Sequence, residues 1–104
     1  MAFEISNKLP LTITSKALTE IKDIFFNKNI PQQYGLRLGV KGSGCAGIGF
    51  LLGFDTEKEQ DKTYEIDGIK VFIAKKDTMH LIGKLVDFVD EDARGFVFVD
   101  EINE

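Results

Sequence analysis

Apolar residues recur at Leu18, Ile21, Ile24 and Phe25, and this three-to-four spacing predicts an amphipathic helix over about residues 15 to 27. Thr14 stands where its hydroxyl can take up a first-turn amide. Pro31 disfavours α geometry at Ile30, so the helix has both a start and a stop. Just upstream, Leu11-Thr12-Ile13-Thr14 reads as a short β-type segment. From Tyr34 the period changes to two. Leu36, Leu38 and Val40 alternate with Arg37, Gly39 and Lys41, which places one side of a strand in the core. A second strand is expected from Phe50 to Asp55.

Between these strands runs Gly42-Ser43-Gly44-Cys45-Ala46-Gly47-Ile48-Gly49, too rich in glycine for a stable helix or a central strand. It is a loop with a thiol in it. Thr56 to Lys62 is charged and poor in apolar residues, which predicts a solvated connection. Asp67-Gly68, flanked by Tyr64-Glu65-Ile66 and by Ile69 to Ala74, predicts a hairpin, because a type I′ turn needs positive φ at both central residues. Asp77 is placed to cap a short helix through Leu81, with Gly83 ending it. Leu85, Phe88 and Val89 lead through an acidic turn into a last strand at Phe96-Val97-Phe98-Val99. The pattern as a whole is mainly β or α+β, with one helix early and a short one late.

Composition adds limits to this picture. A chain of 104 residues with no Pro/Gly/Ser-rich linker is expected to be one domain over residues 1–104, and 43% apolar residues suffice for one core. Thirteen Lys and Arg against seventeen Asp and Glu give a net charge of −4, and a surface of that sign repels phosphate backbones, so nucleic acid is not an expected partner. No apolar run nears the roughly 20 residues of a membrane span, and Met1-Ala2-Phe3-Glu4 begins neither a basic n-region nor an apolar h-region. A cytoplasmic protein is therefore expected. The single cysteine excludes an internal disulfide.

Cys45 is the one candidate for chemistry, as a metal or cofactor ligand. Flanking glycines let backbone amides approach its sulfur and let the chain bend so that the thiol projects, an arrangement suited to a thiolate that binds soft metals. Two plainer readings stand beside it. Gly42-Ser43-Gly44-Cys45-Ala46-Gly47 matches a nucleotide-binding GxGxxG, but a strand pattern follows it where a helix is required. The cysteine could also be a small buried hydrophobe in a structural turn. A nucleophilic enzyme would need a base, and the sole histidine, His80, lies thirty-five residues on. No enzyme is expected. His80 itself reads as a surface or boundary side chain, and the acidic run Asp87, Asp90, Glu91 and Asp92 as a solvated face without the spacing of a calcium loop.

The segment Leu36-Arg-Leu-Gly-Val-Lys-Gly-Ser-Gly-Cys45-Ala-Gly resembles the signature around the first cysteine of the HesB/IscA family of A-type iron-sulfur cluster carriers. Leu11 to Thr14 with Ala17 resembles the family's opening strand and helix start. Asp67-Gly68-Ile69-Lys70-Val71 resembles its hairpin, and Leu85 to Val89 with Gly95 to Phe98 its closing region. The resemblance implies the compact HesB-like domain: two small β-sheets, an N-terminal amphipathic helix and a short second helix. It also implies a homodimer, and partners among iron-sulfur assembly or acceptor proteins.

The departure from the family is as plain. Members continue from the Gly-Phe-x-Phe strand to a Cys-Gly-Cys that joins the first cysteine as ligands, whereas here the sequence reads Val99-Asp100-Glu101-Ile102-Asn103-Glu104. Ala46 also stands where Ser is usual. An iron-sulfur cluster takes four ligands, commonly all cysteine, and the 104 residues offer Cys45 alone. His80, Asp100, Glu101, Glu104 or a thiol from elsewhere would have to complete the set, and carboxylates are hard ligands that favour iron over a sulfide cluster. Two functions follow. One is an assembly or carrier-like protein in which Cys45 gives one ligand to a cluster or iron shared between subunits or with a partner, none being held stably by one chain. The other is a non-metal interaction or regulatory protein that kept the fold.

Overall fold

The alternation of apolar and polar positions is realised as two sheets in a computed structural model that describes residues 9–42, 49–91 and 94–101. The order along the chain is β1 (Thr12–Ile13), α1 (Ser15–Asn27), β2 (Gly35–Lys41), β3 (Gly49–Asp55), β4 (Asp61–Ile66) and β5 (Ile69–Ala74). A 3₁₀ turn at Lys75–Asp77 then runs into α2 (Thr78–Leu81), followed by β6 (Lys84–Val89) and β7 (Gly95–Asp100). Four strands form one sheet in the order β3-β2-β5-β4, and three form the other in the order β1-β6-β7. Both sheets are mixed: β2 pairs β5 in parallel and β1 pairs β6 in parallel, while the remaining pairs are antiparallel. The expected mainly β, α+β architecture with two helices is the one found.

Helix α1 begins as its sequence dictates. The Thr14 hydroxyl accepts from the Ala17 amide at 3.1 Å, and the same hydroxyl donates to Asp87 Oδ1 on β6 at 2.8 Å. One side chain thus caps the helix and ties it to the smaller sheet. Ala17 and Ile21 on its inner face are fully buried, while Phe26 on the opposite face is exposed. The core joins them to Leu36 and Leu38 of β2, Val71 and Ile73 of β5, Leu81 of α2, and Val86 and Phe88 of β6. Each fully buried aliphatic side chain of this kind contributes about 1.5–3 kcal/mol. On the inner strand β5, Ile69, Val71 and Ile73 are buried on one face and Phe72 on the other, where Lys70 is exposed, whereas the edge strand β4 exposes Lys62, Thr63 and Glu65.

The outward face of β2 carries a polar cluster that braces three strands. Arg37 donates from Nε to Asp55 Oδ2 at 3.1 Å, from Nη1 to Asp61 Oδ1 at 2.8 Å, and from Nη2 to Asp61 Oδ2 and the Thr56 carbonyl. The Asp61 side chain is only 1% exposed. The Arg37 guanidinium holds the Asp61 carboxyl below its ordinary range, chiefly through these hydrogen bonds. Asp55 is lowered as well, first by the Thr56 amide that donates to it. The connection at residues 56–62 is therefore not wholly solvated as its composition suggested, because Asp61 is drawn in to neutralise an arginine.

The turn joining β4 to β5 takes the shape its sequence requires, with Asp67 at φ 49° and Gly68 at φ 83°. Asp77 departs from expectation. Its side chain makes no cap bond to α2; instead Oδ2 accepts from the Val40 amide of β2 at 3.4 Å. It packs against Gly39, where a Cβ would come within 2.8 Å of that oxygen.

Candidate functional site

The base of the β2–β3 hairpin is where the candidate chemistry sits in the chain. Lys41 pairs with Gly49 and Val40 with Phe50, and Gly42, at φ 85°, turns the backbone in a conformation open chiefly to glycine. The linking segment that carries Cys45, residues 43–48, lies outside the described residues. Asp92 and Glu104 lie outside them too.

The two faces of this base are held by different parts of the chain. On the outward face Asp77 rests against Gly39 and Val40. On the inward face the Phe50 ring stacks on Phe98 of β7, with centroids 4.9 Å apart and planes 9° apart. Lys84 of β6 places its ammonium 5.4 Å from the Phe50 ring centroid and pairs with Asp100 at the end of β7. The segment carrying Cys45 thus starts and ends on a base fixed from both sides, beside the point where β7 leaves its sheet. Neither aromatic partner could be named from the sequence, since alternation gives the face of a strand and not its neighbour across two sheets.

Three of the other proposed ligands, His80, Asp100 and Glu101, lie among the described residues. His80 is exposed on α2. Asp100 serves Lys84, and Glu101 accepts from the Thr12 hydroxyl at 2.8 Å while its amide donates to the Gly83 carbonyl at 2.8 Å. Among the described residues no three His, Cys, Asp or Glu side chains gather in a way that could hold a metal ion.

The sequence matches the family model for iron-sulphur cluster biosynthesis over residues 9–102, a span that includes the hairpin and Cys45. The chain belongs to this family. Among its relatives is iron-sulfur cluster assembly 1 homolog, mitochondrial, of Danio rerio, 38% identical over 83% of this chain and 66% of the relative. The iron-binding protein IscA of Xenorhabdus nematophila is 37% identical over 86% of this chain and 84% of the relative. The fold is similar to the crystal structure of Escherichia coli SufA, involved in biosynthesis of iron-sulfur clusters. The TM-score is 0.69 at 36% identity, covering 86% of this chain and 79% of that one. The resemblance read from the hairpin signature is thereby established.

The cytoplasmic expectation is overturned. The Danio rerio relative and those of Drosophila melanogaster and Mus musculus are all named as mitochondrial proteins. The expectation rested on the want of a secretory start and of an apolar span, and neither feature distinguishes one aqueous compartment from another. Among the described residues no helix is long and apolar enough to cross a membrane.

Proposed function

We propose that this chain works in iron-sulfur cluster assembly as a carrier or accessory and not as a catalyst, with Cys45 giving one thiolate to iron or to a cluster. The cargo is shared with a second copy or with an assembly or acceptor partner. The observation that carries this reading is the family match across the whole hairpin, which sets a cysteine between glycines in the segment joining β2 to β3. The chemistry of the donor set supports sharing. One thiol cannot fill four cluster positions, and the carboxylates Asp100 and Glu101 are engaged with Lys84 and Thr12. A homodimer would supply two thiolates, and free thiols or a partner's cysteines the remainder.

A site completed only on association is labile, because each ligand from outside the chain can leave with its owner, and lability suits transfer over storage. The test is anaerobic reconstitution with iron and sulfide beside Cys45→Ser, followed by absorption spectra and iron and sulfide counts per chain. Binding that disappears in Cys45→Ser supports the reading. Equal loading of the two proteins removes Cys45 from the site, and no loading of either in the presence of added thiol removes the carrier role.

A further inference from the structure

The stretch from Lys75 to Ile82 turns two sides in opposite directions. Asp77 and Leu81 are buried, whereas Lys75, Lys76, Met79, His80 and Ile82 face solvent. Met79 is 73% exposed and Ile82 61%, and with Phe26 they are the most exposed large apolar side chains among the described residues. Lys41 lies on the face of β2 that also carries Gly39, against which Asp77 packs, and its side chain runs over Gly49 of β3.

The local charge is opposite to that of the chain. The protein carries −4 overall, yet the one carboxylate of this stretch, Asp77, is buried against the Val40 amide with Lys76 at 3.5 Å. Lys41 and Lys75 enter no ion pair among the described residues. Two bare apolar side chains rimmed by lysines form a surface whose complement is acidic and apolar. Methionine suits such a place because its unbranched, polarisable side chain adapts to different partners. A second copy pairing by two-fold symmetry through the same ridge would set lysines against lysines, which the charge pattern disfavours.

We infer that the α2 ridge is a docking surface for a partner protein segment that combines carboxylates with a large apolar side chain. Met79 and Ile82 receive the apolar group, and Lys75 and Lys76 receive the carboxylates.

The test is selection from a random displayed-peptide library against the full chain, repeated against the chain carrying Lys75→Glu with Lys76→Glu and against Met79→Ser. Amide NMR spectra of each variant establish that it is folded. The expected result is enrichment of peptides joining Asp or Glu to a large apolar residue. Their affinity falls at least about tenfold for the charge reversal and several-fold for Met79→Ser. Their amide shifts on the wild-type chain cluster at residues 75–83. Enriched peptides without acidic bias, undiminished binding to the reversed chain, or shifts confined to another surface would each overturn the inference. So would a chain that self-associates through this ridge, seen as a sedimentation change on charge reversal.

Discussion

Phe50 and Phe98 stack with nearly parallel rings between the two sheets, 4.9 Å between ring centroids, and so join the strand that follows Cys45 to the last described strand of the chain. Each ring is half-buried, so truncation removes apolar contact and the pair term together. Phe98→Ala should destabilise the fold by about 2–3 kcal/mol, with Phe50→Ala similar. A double-mutant cycle by denaturant unfolding should return a coupling of about 0.5–1.5 kcal/mol. Additive losses would mean that the stack does not hold the sheets together.

Arg37 is the second fastening, and its geometry makes a prediction that charge alone does not. Arg37→Lys keeps the positive charge but loses the fork that reaches Asp55, Asp61 and the Thr56 carbonyl together. Because Asp61 is almost wholly buried, a poorly matched partner should cost about 2–4 kcal/mol, read from the unfolding midpoint.

This cluster, together with Asp87 on β6, sets the response to acid. Asp61, Asp55 and Asp87 are all held below their ordinary range, Asp87 chiefly by the Thr14 hydroxyl. A carboxyl lowered by folding contributes stability that is fully present above its unfolded pKa of about 3.9, and that is lost as pH falls through the folded value. Thermal stability should therefore hold from neutrality to about pH 5 and decline below about pH 4. Asp61→Asn should start lower at neutral pH and show a shallower acid decline. A decline of unchanged steepness in that variant would show that Asp61 is not a principal acid-sensitive group.

Much of the fold was legible because local signals agreed with the tertiary outcome. The helix predicted over about 15 to 27 is Ser15–Asn27 with Thr14 as its cap, and the Asp67-Gly68 turn has the predicted left-handed pair. What escaped was contact between distant segments. Nothing in a charged stretch distinguishes Asp61, which is buried on Arg37, from exposed Glu59 beside it, because the difference lies in which strand meets it. Asp77 had the right residue type for a cap, yet close approach of Gly39 offered its carboxylate the backbone of β2 instead. Of the candidate site, the hairpin and its glycines were readable, while the Phe98 and Lys84 contacts that fix its base were not.

Gly35 shows how tightly the larger sheet packs. A Cβ there would meet the Lys70 carbonyl oxygen at 2.6 Å and Phe72 Cε2 at 2.8 Å. The first is backbone of the parallel neighbour β5 and cannot swing aside. Gly35→Ala should cost about 1–3 kcal/mol in denaturant unfolding, whereas the same change at Gly53, with open space around it, should cost less than about 1 kcal/mol. Equal losses at the two sites would contradict the packing described for β2 and β5.

The proposed sharing, in which Cys45 holds iron or a cluster together with thiols from outside its own chain, is open to a direct test. Native mass spectrometry under anaerobic conditions, with and without glutathione, reads this directly from the mass of each loaded species. The expected result is iron-loaded species that contain two chains, or chain plus glutathione, and their disappearance in Cys45→Ser. A cluster on a single chain without added thiol, or loading that survives Cys45→Ser, would contradict it.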